Sequence, residues 1–284
     1  MQPLNLLKRF NRKPIVPASD LKPIQLLDPL STDGIKQKYD NYSVPELSYA
    51  TVRDFCDSVD HLPQICYLNG DLKNVQRPWT VKAIVGQLPL GSRLLEIGAG
   101  VPLVAGVLTE LGYKVTIVDP YEGAGNGPTE YQAYVKQFPN VKIIKNIFSP
   151  RLESLEEASF DCIYSVSVLE HIPQEGILSL FQGMHKFLRI GGISLHCVDH
   201  VIDGKGAQFH KEHLTALLDY QKKLADPNAS FTAPNYEEML IQLQQDLETF
   251  YLSALGHNLW RGHCSYDEFP FRKVVSVQTC MNKA

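Results

Sequence analysis

The stretch SRLLEIGAGVPL, residues 92–103, reads as a short apolar strand, a tight turn and the start of a helix. Gly98 and Gly100 carry no Cβ, so the backbone can turn sharply there and a ligand can lie directly against it. The free N–H groups at the start of the following helix favour a carboxylate or a phosphate. Pro102 fits the first helical turn, because its missing N–H costs nothing there. The stretch therefore predicts a ligand-binding turn at the end of a strand.

The rest of the chain places this turn in an α/β fold. Apolar runs of about six residues alternate with helical patterns of roughly ten to fifteen, which is typical of βαβ units. We expect a doubly wound, mostly parallel, seven-stranded Rossmann-like sheet with helices on both faces, whose ligands bind at the carboxyl ends of the strands. The strands that we identify are Ser92–Ile97, Lys114–Asp119, Val141–Lys145, Phe160–Val166, Gly192–Val198 and, along the sheet edge, Lys273–Cys280.

The pattern of apolar and polar residues divides the chain into four segments. A short helix is expected over Ser48–Asp60, and two longer helices over Gln208–Leu224 and Tyr236–Leu255, separated by a break at Asp226-Pro227-Asn228. The segments are an N-terminal extension or cap over residues 1–75, the core over 76–204, a helical lid or dimerisation segment over 205–262, and sheet completion over 263–284.

Composition and charge exclude several classes of protein. With 284 residues, 44% of them hydrophobic, the chain can bury one sizeable α/β core. A net charge of −4 argues against a general nucleic-acid binder, which needs clustered Lys and Arg. The first fifteen residues are too interrupted by charge for a signal peptide or a membrane span. The six cysteines form neither a CxxC pair nor a zinc cluster, so we expect reduced thiols and a cytoplasmic location.

Two further features narrow the ligand. Asp119 ends the second predicted strand, 21 residues after Gly98, and is placed to accept both hydroxyls of a ribose. Leu103 stands where a dinucleotide fingerprint has its third glycine, which disfavours a nicotinamide or flavin cofactor. Glu96 brings an acid to the turn, where it could accept from a ligand ammonium group or serve only to hold a backbone N–H.

Four motifs in order resemble those of a known family. LLEIGAG, TIVD, the stretch from Asn146 through SFDCIYSVSVLEHIP, and FLRIGG look like the motif series of class I S-adenosylmethionine-dependent methyltransferases over residues 92–200. The resemblance implies S-adenosylmethionine as cofactor and S-adenosylhomocysteine as product. Asn146 stands where the family often has Asp, and its carbonyl oxygen can still meet the adenine amino group.

The same resemblance implies a role for each motif. The glycine turn with Glu96 would face the methionine part, Asp119 would hold the ribose, and the residues after the third strand would border the adenine. By their position alone, the serines that flank the end of the fourth strand would line the pocket floor by hydroxyl or backbone, although ordinary strand-end packing explains them equally well. The predicted cofactor-binding residues are Glu96, Gly98, Ala99, Gly100, Asp119, Pro120, Asn146, Ile147, Phe148, Ser165, Val166 and Ser167.

Candidate catalytic residues follow from the chemistry of methyl transfer. In-line displacement needs the acceptor atom held close to the methyl group, and a hydroxyl or protonated amine also needs a general base, for which His suits neutral pH. His171 follows the fourth strand and is a candidate base or a residue that only lines the site. Asp199 and His200 follow the fifth strand and could form an activating pair, or be a cap and an exposed loop residue. No carboxylate-rich cluster supports a metal at the nearby His210 and His213, so we predict none.

The hypothesis is therefore a methyltransferase for O- or N-methylation of a small-molecule or sugar-like acceptor, without nucleic-acid or membrane partners. An NAD-dependent oxidoreductase and a non-catalytic adenosylmethionine-binding protein are the alternatives. Trp79, in an Arg-Pro-Trp segment, could cover the cofactor or staple the extension to the core. Tyr39, Tyr42 and Trp260 are candidates to roof the site, and the apolar helical stripes could instead form a homodimer face.

Overall fold

A central sheet flanked by helices organises the chain. The computed structural model describes residues 29–123, 127–225 and 236–284, so the basic N-terminal residues and the predicted break at 226–228 lie outside it. The strands of the described part are β1 Leu47–Tyr49, β2 Arg93–Ile97, β3 Lys114–Asp119, β4 Lys142–Lys145, β5 Phe160–Val166, β6 Leu188–Asp203 and β7 Lys273–Asn282. Its helices are α1 Pro29–Tyr39, α2 Val52–His61, α3 Lys73–Gln87, α4 Leu103–Glu110, α5 Tyr131–Gln137, α6 Gln174–Phe187, α7 Ala207–Ala225, α8 Tyr236–Gln245 and α9 Ala254–Arg261.

The sheet confirms the predicted fold class. Its seven strands lie in the order β1-β7-β6-β5-β2-β3-β4. The pairs among β2 to β6 are parallel, and β7 runs antiparallel to both β6 and β1. β2 has β3 on one side and β5 on the other, so the chain order reverses at β2. The carboxyl ends of β2, β3 and β5 therefore border the crevice in which ligands of such sheets bind.

Alternation along the strands builds a core on each face. Leu94 of β2 packs with residues of α3, α4 and α5, whereas Leu95 and Ile97 pack with residues of α6 and α7. Successive side chains of a strand point to opposite faces, so a wholly apolar strand is buried on both sides. None of the described helices has both the length and the apolar character that a bilayer span requires.

Two predictions were wrong near the N-terminal extension: the start of a helix and the position of the last strand in the sheet. The helix expected over Ser48–Asp60 begins at Val52, because Thr51 and Asp54 form a reciprocal capping box that fixes its start. The residues before it form β1, which pairs with β7 through Leu47–Thr279 and its neighbours. β7 therefore lies between β6 and β1, and not at the sheet edge as expected.

The helix expected over Tyr236–Leu255 was also too long. α8 ends at Gln245, and the hydroxyls of Thr249 and Tyr251 both donate to the carbonyl of Leu243, which folds the following turn back on the helix. Tyr251 then forms a β-bridge with Val275. The apolar spacing that suggested helix reflects the packing of this turn.

A buried ion pair docks the N-terminal helices on the core. Lys82 of α3 is 1% exposed, and its Nζ lies 2.5 Å from Oδ2 of Asp57 in α2. The hydroxyl of Tyr39, at the end of α1, donates to the same carboxylate at 2.7 Å. Burial opposes ionisation of Asp57, but the hydrogen bonds from Lys82 and Tyr39 outweigh it and lower the pKa of Asp57 to about 2. Trp79 is buried in the same core as Tyr39, which supports the interpretation that Trp79 attaches the N-terminal extension to the core.

We predict that Lys82→Met lowers the free energy of unfolding by about 3 kcal/mol, because it leaves the Asp57 carboxylate without its buried partner. Lys38 is the matched control, since it contacts the same carboxylate from a side chain that is 39% exposed. Lys38→Met should cost less than about 1 kcal/mol. Urea unfolding of both variants measures the difference, and equal losses would contradict a docking role for Lys82.

Candidate functional site

The turn after β2 has the shape that its two glycines predict. Gly98 and Gly100 have φ angles of 67° and 56°, in the left-handed region that favours glycine. A Cβ on Gly98 would lie 2.8 Å from a methyl carbon of Val168, in the loop that follows β5. The two loops therefore press together at the point where the strand order reverses, and only glycine fits between them.

Two backbone N–H groups of this turn donate hydrogen bonds within the protein, and two others do not. The N–H of Gly98 donates to the carbonyl of Val118 at 2.9 Å, and that of Gly100 donates to Oδ2 of Asp119 at 2.9 Å. The N–H groups of Ala99 and Val101 have no protein acceptor within the described ranges. A ligand that lies against the turn can therefore accept hydrogen bonds from these two amides.

Asp119 stands beside the turn, as its spacing predicted. It is 8% exposed at the end of β3, and its other oxygen, Oδ1, accepts the N–H of Tyr121 at 2.7 Å. A carboxylate has about four acceptor positions, so each oxygen retains one for a ligand hydroxyl. Its neighbour Pro120 is partly exposed on the same loop.

Glu96 lies below the turn and is 2% exposed. The hydroxyl of Tyr164 donates to its Oε2 at 3.0 Å. Burial raises the pKa of Glu96 to about 8, and the bond from Tyr164 and the charge of Arg77 oppose part of that rise. The acid is therefore mostly protonated at neutral pH, unless a cation comes close to it.

The glycine turn, Glu96 and Asp119 together form a cradle. Arg77 of α3 brings a positive charge near it, and the sequence did not indicate a role for this residue. Its guanidinium lies 5.9 Å from the ring centroid of Tyr67, and within the described segments no carboxylate forms an ion pair with it. Burial lowers its pKa, although an arginine keeps its charge at neutral pH in any case. A half-buried guanidinium without an anionic partner is suited to a ligand carboxylate or phosphate.

The residues predicted to border an adenine differ in access. Asn146 is exposed after β4, its N–H donates to the carbonyl of Asp119 at 3.2 Å, and its Oδ1 accepts the N–H of Ile147 at 2.8 Å. Ile147 is 65% exposed. Phe148 instead packs against Phe187 and the backbone of α6, inside the core. Asn146 and Ile147 are thus available to a ligand, and most of the Phe148 ring is not.

The residues at the end of β5 also differ from one another. Ser165 is fully buried and its hydroxyl pairs with Nδ1 of His196 at 2.8 Å, so that hydroxyl does not line the pocket floor as expected. Val166 is half-buried. Ser167 has a φ of 55°, a strained conformation for a residue with a side chain, and its hydroxyl donates to Oδ2 of Asp199 at 2.8 Å.

Asp199, within β6, is the centre of a polar network beside the end of β5. Besides Ser167, it accepts the side-chain amide of Gln76 at 2.8 Å, and the Lys73 ammonium donates to the Ser167 hydroxyl at 3.2 Å. Lys73 and Gln76 both belong to α3, at the end nearest the loops. This network lies at the same end of the sheet as the glycine turn, where the carboxyl ends of the parallel strands meet.

The predicted Asp199–His200 pair was wrong. β6 continues to Asp203, so both residues lie within a strand and point to opposite faces of the sheet. His200 is 1% exposed, shares a 2.8 Å hydrogen bond with the hydroxyl of Tyr236, and has its pKa lowered to about 3 by burial. A base so buried and so weak is not placed to take a proton from an acceptor.

His171 remains at the open edge of the sheet. It ends the single 3-10 turn Leu169–His171 after β5, and its side chain is exposed. Burial of part of the ring lowers the pKa of His171 below its ordinary value, which favours the neutral imidazole, the form that can accept a proton. Within the described residues, no group of three or more His, Cys, Asp or Glu side chains is arranged to hold a metal.

The predicted roof residues lie elsewhere in the fold. Tyr39 is buried against Asp57, and Tyr42 packs beside Gly86 in α3. Trp260 packs against the small cluster that includes Leu72 and Leu252. Their contacts are those of structural residues that attach α1 and α9.

The raised pKa of Glu96 gives a pH-dependent prediction for stability. Because the folded-state pKa of about 8 exceeds the ordinary value of 4.5, folding favours the protonated acid, and its contribution is complete below pH 4.5 and is lost as the pH rises to about 8. Glu96→Gln keeps the shape and removes this titration. Relative to wild type, the variant should gain up to about 1.4 kcal/mol of unfolding free energy per pH unit across that window. Denaturant titrations between pH 5 and pH 9 measure the gain.

The exposed Glu153 provides the control for this series. Glu153→Gln should follow the wild-type dependence on pH throughout. A difference between Glu96→Gln and wild type that does not change with pH would contradict the assignment of a protonated acid below the turn.

Comparison with known proteins gives one family match. The sequence model of a family described as a methyltransferase domain matches residues 73–243, which is more than half of the chain. A search of the curated proteins found no significant match.

Several solved structures were found as similar to this chain at low identity and low TM-score. The phosphoethanolamine N-methyltransferase 2 of Haemonchus contortus is 19% identical, with a TM-score of 0.46, and the match covers 81% of this chain and 60% of that one. The geranyl diphosphate C-methyltransferase of Streptomyces coelicolor is 11% identical, with a TM-score of 0.47, over 91% of this chain and 99% of that one. The 1,6-didemethyltoxoflavin-N1-methyltransferase of Burkholderia thailandensis is 17% identical, with a TM-score of 0.44, over 81% and 87%. The present chain thus spans about three fifths of the Haemonchus enzyme.

The family match begins with α3 and runs through the glycine turn, Asp119 and the loop that carries His171. It includes all four motifs on which the resemblance was based. The chain therefore belongs to the family of class I S-adenosylmethionine-dependent methyltransferases.

Proposed function

We propose that this protein transfers the methyl group of S-adenosylmethionine to a small-molecule or sugar-like acceptor, on oxygen or nitrogen. The observation that carries the proposal is the 2.9 Å hydrogen bond from the Gly100 amide to the Asp119 carboxylate. It brings the glycine turn, with its two free amides, next to an acid with spare acceptor positions. A nucleoside with a charged side arm has the complementary groups.

Each part of the donor then has a proposed partner. Asp119 would accept the ribose hydroxyls, with Pro120 beside the sugar. The amides of Ala99 and Val101 and the guanidinium of Arg77 would hold the amino-acid carboxylate. Asn146 and Ile147 are exposed where an adenine would lie. Once bound, the donor supplies an electrophilic methyl group on a sulfonium.

The acceptor side is proposed around His171. It is exposed, neutral at pH 7 and follows β5 on the same edge as the glycine turn. When the oxygen or nitrogen of the acceptor takes up the methyl group, the imidazole of His171 would accept the proton that this atom loses. Asp199 is proposed as a positioning residue, because its hydrogen bonds fix Ser167 and Gln76 beside this space.

The alternatives have less support. Leu103, in the place of the third glycine of a dinucleotide site, is 4% exposed and packs in the core as the first residue of α4, which leaves little room for the close approach of a pyrophosphate. For a non-catalytic binding protein, the open position of His171 next to the cradle would have no evident purpose.

The roles of the other segments are also proposals. Residues 1–75 would act as a cap on the core over 76–204, and residues 263–284 complete the sheet. In the segment over 205–262, exposed apolar side chains offer a surface for an acceptor lid or for a homodimer, and these are Phe209, Ile241, Leu247, Leu255 and Leu259. All six cysteines are free thiols, and a cytoplasmic location would keep them reduced.

We predict that Asp119→Asn weakens binding of S-adenosylhomocysteine by roughly 10- to 100-fold, since a charge-assisted hydrogen bond to the ribose is lost. Isothermal titration calorimetry of the purified chain measures this. Asp161→Asn is the control, because Asp161 pairs with Arg189 near the amino end of β5, at the opposite end of the strands, and should not affect the donor. Unchanged affinity in Asp119→Asn, or tighter binding of NAD than of S-adenosylhomocysteine by wild type, would refute the proposed function.

For the acceptor side, we predict that His171→Gln lowers turnover by roughly 100-fold or more and leaves the affinity for S-adenosylhomocysteine unchanged. Turnover is measured as transfer of a labelled methyl group into a small-molecule extract. The exposed His185 of α6 is the control, and His185→Gln should keep full turnover. If His171→Gln keeps wild-type turnover, another group is the base.

A further inference from the structure

The 3-10 turn Leu169–His171 leaves the sheet just after β5 ends. The parallel pairing of β5 with β6 stops at Val166 and Cys197, so the N–H of Asp199, further along β6, lies beyond the last pair. A side chain of the turn takes the place of the missing strand, because Oε1 of Glu170 accepts the N–H of Asp199 at 3.0 Å. Glu170 therefore attaches the turn to β6.

Two other contacts hold the start of the turn. The carbonyl of Leu169 accepts from Nε2 of His213 in α7 at 2.9 Å. Val168, just before the turn, lies so close to Gly98 that a Cβ there would be 2.8 Å from one of its methyl carbons. These contacts fix the start of the turn to α7 and to the glycine turn, whereas Glu170 fixes the part that leads directly into His171.

Glu170 is itself a buried acid, with 8% of its surface exposed. Burial, and then the negative charge of Asp199, raise the pKa of Glu170 well above its ordinary value, while the bond from the Asp199 N–H and the charge of Lys73 oppose part of that rise. The protonated form is thus favoured. It can accept the amide without placing a second negative charge beside Asp199.

We infer that Glu170 is a positioning residue, whose hydrogen bond to the Asp199 amide keeps His171 at the strand ends where the acceptor is proposed to bind. A general base acts only within hydrogen-bond reach of the proton that it takes, so a small displacement of the turn would lower turnover. The carboxylate of Asp199 also binds Ser167 and Gln76, so one residue of β6 fixes both the turn and the polar side chains beside it. The inference rests on the proposed function, because it needs His171 as the base.

Two substitutions of Glu170 test this. Glu170→Gln keeps a carbonyl oxygen that can accept the Asp199 N–H, and it matches the neutral acid in shape. Glu170→Met has a similar length and no such oxygen. We expect Glu170→Met to lower turnover by roughly 10- to 100-fold, and Glu170→Gln to stay within about twofold of wild type. The dissociation constant of S-adenosylhomocysteine should not change in either variant, since the donor cradle keeps its own hydrogen bonds.

Two further measurements report on the turn without any turnover. Hydrogen exchange of the Asp199 amide should be faster in Glu170→Met than in wild type or in Glu170→Gln, because this N–H has lost its acceptor. The NMR signals of the His171 ring should shift in Glu170→Met alone. Glu175→Met is the matched control, since Glu175 is exposed in the first turn of α6 and should leave all of these measurements unchanged.

Tyr113→Phe controls for a general loss of stability. Tyr113 is 3% exposed directly before β3, and its hydroxyl donates to the carbonyl of Leu88 at 3.0 Å, far along the strands from the turn. This variant should melt earlier than wild type and keep its turnover below the melting temperature.

The outcomes separate the positioning role from the proposed function. If wild type transfers no methyl group, the proposed function fails, and the inference fails with it. If wild type is active and Glu170→Met is equally active, or Glu170→Gln is as impaired as Glu170→Met, the inference is overturned. A parallel loss of affinity for S-adenosylhomocysteine, or an equal loss of turnover in Tyr113→Phe, would also overturn it, because Glu170 would then serve the donor site or the stability of the fold.

Discussion

The Asp119 carboxylate joins two loops that leave neighbouring parallel strands. One oxygen accepts the Gly100 amide from the loop after β2, and the other accepts the Tyr121 amide from the loop after β3. Hydrogen bonds to an ionised, poorly exposed carboxylate are short and strong, so each loop limits the movement of the other. The free turn amides and the acid lie next to each other because this carboxylate holds both loops.

Helix α3 connects this cradle to the rest of the molecule. Along its length, the charge of Arg77 acts on Glu96, Gln76 binds Asp199 within β6, and Lys82 binds Asp57 in the N-terminal extension. Three side chains of one helix thus contact the region proposed for the donor, the region proposed for the acceptor and the N-terminal helices. Because a helix is stiff over this length, a change in the docking of α2 would be felt on both sides of the site.

How much of this could be predicted from the sequence differs between strands and side chains. The apolar runs placed β3 and β5 correctly, and the distance from Gly98 placed Asp119, because strand period and crossover length are local properties. The His200 prediction failed because the two polar residues Asp199 and His200 end the apolar run at Val198, although β6 continues to Asp203. The buried bond of Ser165 to His196 and the strained backbone of Tyr121 depend on tertiary contacts, and β1 is too short to show a pattern.

The outer edge of β7 is covered by two separate parts of the chain. Leu47–Tyr49 pairs with one stretch of it, and the single bridge from Tyr251 to Val275 covers another. An uncovered strand of this length and apolar character would invite a second copy to add its own strand. The three residues of β1 therefore act as a guard against self-association, and a shortened chain that begins after Tyr49 would have an edge prone to aggregation.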